Sequence, residues 1–253
     1  MEITAHIDAL RHEGGLFADA AARTELDAPV PTCPEWRLRD LVLHTGHVHR
    51  WATAHLRDGR PTPMDEASQQ AIWAEQPDDA VLVDWFRAGH GALVDTLLAA
   101  PADLDCWTFL PTAPNPLAFW ARRQAHETAM HRIDADAAAG AEGPATAPEL
   151  ALDGIDELLR GFMSLGRSRL RSEQPRTILV STTDGPGRWL LTVSGEPLSV
   201  ELTEAPADLS LTGPARDLYL MLWNRLPAGN PGRVEHSGDE ALLDLWRETA
   251  TIG

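Results

Sequence analysis

The hydrophobic period of this chain changes once, at a tract of small residues, Gly140-Ala141-Glu142-Gly143-Pro144-Ala145-Thr146-Ala147-Pro148. Before the tract apolar residues recur with a helical period; after it they fall in short runs divided by Gly and Pro. A single layered core cannot serve both patterns, so two packings joined by a linker are expected, over residues 1–143 and 147–253.

Four stretches before the tract read as helices. The first covers residues 2–26, with Ile3, Ile7, Leu10, Leu16 and Phe17 on its apolar side, and stops before Pro29 and Pro31. The second covers 36–57; Asp40 suits its N-terminus electrostatically, although Arg37 stands where a capping Ser or Thr is usual. The third covers 78–99 and the fourth 115–139, from Asn115-Pro116 to the stop at Gly140. Residues 58–77 connect the second and third helices and are long enough to cross a bundle, which predicts a four-helix bundle with one crossover.

After the tract, a helix over 149–171 is followed by strand-like runs at 177–181, 188–193, 199–203 and 208–212. A helix at 215–224, an extended piece around Val234 and a last helix at 239–247 complete a small α+β domain. The fold class is therefore mainly α plus α+β.

All 21 basic residues are arginine, so chemistries that need a lysine amine are excluded: Schiff bases, a lysine general base and a phosphate-loop lysine. The net charge of −17 divides as −11 before residue 146 and −6 after it. Neither half offers a basic patch, which argues against a nucleic acid or an anionic membrane as partner. Cys33 and Cys106 form no disulfide framework and read as free buried thiols. No apolar run has the length of a membrane span and the N-terminus lacks a signal-peptide pattern, so a cytoplasmic protein, monomeric or in a small homo-oligomer, is expected.

The fourth helix carries Glu127 and His131 four residues apart, on one face with Trp120 and Gln124. In the second, His44 lies within the apolar stripe of Leu41, Val48 and Ala52, with His49 toward one edge and His47 on the polar flank. His/Glu/His is a ligand set typical of an open catalytic zinc site. A core histidine bonded to a backbone carbonyl would show the same spacing.

Longer runs carry a resemblance. Pro34-Glu35-Trp36-Arg37-Leu38-Arg39-Asp40-Leu41-Val42-Leu43-His44 resembles the P-x-W-x-x-x-D-L-x-x-H segment of the mycothiol-dependent maleylpyruvate isomerase family. The run from Arg123 to Ala135 is similar to that family's R-x-x-x-E-x-x-x-H-x-x-D-A, with Ile133 where many members have Trp. Past the linker, the runs from Leu209 to Leu218 and from Leu222 to Pro227, then Gly238-Asp239, resemble its C-terminal domain. The resemblance spans essentially the whole chain. It implies a DinB/YfiT-like metal-binding bundle followed by a sterol-carrier-like domain, with His44, Glu127 and His131 holding a divalent metal, zinc by expectation. It further implies mycothiol, the thiol of high-GC actinobacteria, as cosubstrate, and Arg225 as the second-domain residue tied to activity. His47, His49 and His126 are not family ligands and are expected at the surface or behind the ligands.

The expected function is metal activation of the mycothiol thiolate for attack on a small electrophile, as an S-transferase or in a maleylpyruvate-type cis-trans isomerisation. Arg225 could pair with a substrate or mycothiol oxygen, or form a structural ion pair at a helix C-terminus. Asp134 could accept a hydrogen bond from a ligand ring or stand solvated. A non-catalytic small-ligand-binding protein with a structural metal is the alternative. Trp36, Trp51, Trp120 and Trp223 could line an aromatic pocket or simply fill core.

Overall fold

The computed structural model describes residues 1–110, 112–166, 168–226 and 232–250, and within it the chain divides into two compact units, Met1–Pro144 and Ala145–Gly253. The first unit holds α1 (Ile3–Ala22), α2 (Leu38–Asp58), α3 (Glu66–Trp73), α4 (Asp79–Ala99) and α5 (Pro116–Ala138). The bundle is made by α1, α2, α4 and α5. Its core includes Phe17, Leu38, Leu41, Val42, Leu82 and Phe86, all buried, with the Phe17 and Phe86 rings 4.6 Å apart.

Helix α1 is shorter than its apolar pattern predicts. It ends at Ala22, where the Thr24 hydroxyl donates to the Ala20 carbonyl at 2.8 Å and takes up one of the exposed terminal acceptors. The chain then doubles back, Val30 N–H donating to Trp36 O at 3.1 Å, and this fold of the loop sets the positions of Thr32, Cys33 and Trp36. Asp40 enters α2 as expected, its carboxylate accepting the Arg37 N–H at 2.8 Å. Gly59, at φ 53°, closes α2 in the left-handed conformation that a side chain would strain.

The crossover is not bare chain. Residues 66–73 form α3, which Asp65 caps by accepting the Ser68 N–H at 2.8 Å. Glu75, just beyond, ties the crossover down: its carboxylate accepts Trp85 Nε1–H at 2.9 Å, and its carbonyl accepts His47 Nε2–H at 2.9 Å. Arg50 lies 3.6 Å above the Trp85 ring. Gly46 makes this possible, because a Cβ there would run into the Trp85 ring. His47 is therefore buried under the crossover rather than on a polar flank.

A buried ion cluster pins α1 to α5. Arg132 Nε donates to Glu13 at 2.7 Å and its Nη1 to Asp136 at 2.9 Å, all three side chains being excluded from solvent.

The second unit holds α6 (Pro148–Asp156), β1 (Arg176–Thr182), β2 (Arg188–Val193), β3 (Ser199–Glu201), β4 (Leu209–Gly213), α7 (Ala215–Leu222), β5 (Glu235–Gly238) and α8 (Glu240–Thr249). The strands form one sheet in the order β3-β2-β1-β4-β5, antiparallel except for the parallel pair β1 and β4. The helix expected to reach residue 171 is shorter: α6 passes into a π-helical segment, Glu157–Phe162, and Met163 N–H donates to Leu158 O at 2.9 Å. Arg167 and Pro227 lie outside the described residues. No described helix is long and apolar enough to cross a membrane.

Burial of histidine departs most from the sequence reading. Seven of the ten histidines are buried, His49, His55 and His126 completely. His49 shares a 2.9 Å hydrogen bond with the Thr128 hydroxyl, and the His126 ring meets His6 edge-on at 6.0 Å. His49 and His126 thus belong to the bundle interior, because α2 and α5 pack on other helices along both flanks of the face that carries His44, Glu127 and His131.

His55 is the most unusual of the set. Its buried ring is stacked on Trp120 at 5.3 Å and flanked by Trp51 and Trp107, and among the described residues neither ring nitrogen has a hydrogen-bond partner. Burial pushes its pKa down to about 4. Each orphaned buried polar group costs about 1–3 kcal/mol. His55→Phe is therefore expected to raise stability by roughly that amount at neutral pH, read as a higher urea midpoint at unchanged slope.

Candidate metal centre

The ligand candidates meet because α2 and α5 pack face to face. The loop before α2 and the turns around His44 set one wall, and the α5 face of Glu127 and His131 sets the other. Glu127 Oε1 lies 3.5 Å from His44 Nε2 and 3.2 Å from His131 Nε2. All three donor atoms fall within 4.8 Å of one another. Tetrahedral zinc with bonds of about 2.0–2.2 Å needs donors about 3.3 Å apart, so this set fits a small divalent ion with sub-ångström to ångström side-chain adjustments. His44 and Glu127 remain partly exposed while His131 is buried, which leaves the centre open on one side.

His131 is held from behind. His131 Nδ1–H donates to Asp134 Oδ2 at 2.9 Å, which directs Nε2 toward the shared centre. Asp134 is fully buried and in turn accepts the Thr32 hydroxyl at 2.6 Å, with Cys33 Sγ at 3.8 Å. Asp134 is thus a buried acceptor behind the His131 ring and not a solvated acid. Cys33, a thiol beside this carboxylate, is only half-buried, while Cys106 is buried as expected. The Trp36 ring lies 4.8 Å from that of His44, so the loop also supplies an aromatic wall.

The charge balance favours an ionised Glu127. Burial raises its carboxyl, but hydrogen bonds from His131 and His44 together with the Arg123 charge outweigh that and hold it well below the usual carboxylate range. For His131 burial lowers the pKa, yet Asp134 and Glu127 prevail and lift it to about 9.

Other residues singled out in the sequence have surroundings of their own. Trp51 and Trp120 pack around His55, further along both helices from the ligands. Trp223 and Arg225 lie in the second unit, just past α7; the Trp223 ring meets Phe162 and Tyr219, and Arg225 Nη1 donates to Trp223 O at 3.0 Å. Thr32 is a supporting residue that the sequence does not reveal, since 102 positions separate it from Asp134 and no local pattern links them. Arg123 is visible in the sequence only as a motif position, although it stands one helical turn before Glu127, where side chains meet.

The model of the mycothiol maleylpyruvate isomerase N-terminal domain matches residues 7–136. The chain belongs to this family. The model of the family's C-terminal domain matches residues 149–245, so both units carry the family's pattern. Two solved structures, of the mycothiol-dependent maleylpyruvate isomerase and of a histidine-to-alanine mutant of it, superpose with a TM-score of 0.65. Each comparison covers 94% of this chain and 93% of the other at 10% identity, which establishes a shared fold. No curated protein matches the chain in sequence.

Proposed function

We propose that this family member is a metal-dependent enzyme that uses mycothiol to act on a small electrophile, as a maleylpyruvate-type cis-trans isomerase or an S-transferase. The observation that carries the reading is the convergence of His44, Glu127 and His131 within 4.8 Å on two facing helices, open on one side. On this reading residues 1–143 form the metal-binding bundle and residues 147–253 the sterol-carrier-like partner domain.

A divalent metal held by these three side chains, zinc by donor set, would stabilise a thiolate near neutral pH, the activation that a chain without lysine must obtain elsewhere. The residues of the chain do the rest. Asp134 keeps the His131 proton on Nδ1, away from the centre. Trp36 limits water on one side of the open face. The thiolate sulfur adds to one carbon of a cis double bond conjugated to a carbonyl, and the π pair moves to the carbonyl oxygen as an enolate. The former double bond is then single and rotates. Return of the electron pair expels the thiolate and leaves the trans isomer, with no net proton or electron transfer. Arg225 is the group proposed to pair with the developing oxyanion through its guanidinium.

The full chain, purified with its metal, is expected to hold about one divalent ion per chain, as a three-ligand site implies, and to isomerise maleylpyruvate only when mycothiol is present. A protein that keeps its metal and turns over neither maleylpyruvate nor a panel of electrophiles with mycothiol would instead be a small-ligand-binding protein with a structural metal.

A further inference from the structure

The two oxygens of Glu127 have separate surroundings. Oε1 faces both candidate imidazoles, at 3.5 Å from His44 Nε2 and 3.2 Å from His131 Nε2. Oε2 lies 3.3 Å from Nη2 of Arg123. Arg123 is buried at 3% exposure and brings a guanidinium charge into the bundle.

We propose that Arg123 is a positioning residue that makes Glu127 a one-oxygen ligand, so that the carboxylate occupies a single coordination place on the metal. The inference rests on the metal-centre reading above. A carboxylate can bind a divalent ion through one oxygen or through both. For Glu127 to use both, Oε2 would have to divide its lone pairs between the ion and Arg123 and bring that guanidinium charge next to the metal charge inside the bundle, which is costly. The i,i+4 spacing on α5 makes the arrangement rigid: Arg123 and Glu127 are presented by the same helical face and cannot drift apart as two loop residues could. The coordination place that a chelating carboxylate would fill is then left for a thiol sulfur or a substrate oxygen. An ordinary helix-surface pair of this spacing would have no bearing on the metal.

The test uses the full chain loaded with Co(II) or zinc. Arg123→Gln removes the charge, and metal affinity, measured by competition with a chelator, is expected to fall about 10- to 100-fold. Its Co(II) absorption bands should weaken as Glu127 chelates and the coordination number rises. Arg123→Lys, which restores a cation without the planar fork, is expected to recover part of the affinity and the original spectrum. If the Gln variant does not fold, infrared difference spectra of the wild-type protein with labelled glutamate, taken on zinc addition, decide the point: the carboxylate splitting should be that of a one-oxygen ligand. A folded Arg123→Gln protein with wild-type affinity and spectrum, or a two-oxygen splitting in the wild type, overturns the proposal and leaves the metal centre standing. A wild-type protein that takes up neither ion overturns the metal centre itself, and this inference with it.

Discussion

Replacing His131 or Glu127 with alanine is expected to leave the protein folded but without its metal, and to lower mycothiol-dependent turnover by more than about 1,000-fold. The magnitude follows from the several kcal/mol of activation that a bound divalent ion supplies, each 1.36 kcal/mol being about tenfold in rate. The fold should survive because His44 and Glu127 are partly exposed and the bundle core includes Phe17, Leu38, Leu41 and Phe86 but none of the three donors. His44→Ala should behave alike, since it removes one of only two imidazole donors in the set. Metal uptake should also strengthen with pH: His131, with its pKa lifted to about 9, must give up a proton to bind, so acid competes with the ion across the neutral range. Metal analysis after gel filtration, circular dichroism and turnover on the same samples check all of this. An alanine variant that keeps both stoichiometric metal and thiol-dependent turnover would end the assignment of that residue.

Acid is expected to unfold the metal-free bundle well above the pH at which carboxylates protonate. Burial lowers the pKa of His47, His49, His55 and His90, and for His49 the neighbouring His90 adds to the effect. Each is neutral in the folded chain and near its ordinary value of about 6.5 once unfolded. The unfolded state therefore binds more protons below that pH, and stability falls as pH falls. The His55 contribution is fully present above about 6.5 and is lost progressively down to its folded value of about 4, amounting to about 3 kcal/mol. His49, lowered well below its usual value, deepens the loss in the same direction. His131 works oppositely in the metal-free protein: its stabilisation is complete below about 6.5 and disappears as pH rises toward about 9. Urea titrations of the metal-free chain between pH 4 and 8 should show stability greatest near the ordinary histidine pKa and falling steeply on the acid side. His55→Phe should flatten that acid limb. A stability profile that is level from pH 7 to pH 5 would contradict the burial argument.

Much of the centre can be read without coordinates because it is local. Glu127, His131 and Asp134 sit at helical spacings of three and four, and any α5 with that sequence presents them together. The change of period at the Gly140 to Pro148 tract likewise marks two packings, and the boundary between the compact units falls inside it. The helix over 66–73 is not legible in the same way, because it is short and buries none of its residues, so no apolar stripe marks it.

What the sequence determined by itself is what adjacent turns of one helix or strand determine: the bundle helices, the run of short strands, and the Glu127/His131 pair that the family motif extends to His44. The tertiary structure decided which oxygen of Glu127 faces the imidazoles and which meets Arg123, the clasp of Thr32 on Asp134, and the interior place of His47, His49, His55 and His126. The reason is geometric. Helical periodicity assigns a residue to a face, but whether that face meets solvent, another helix or a crossover depends on packing between segments that can lie a hundred residues apart.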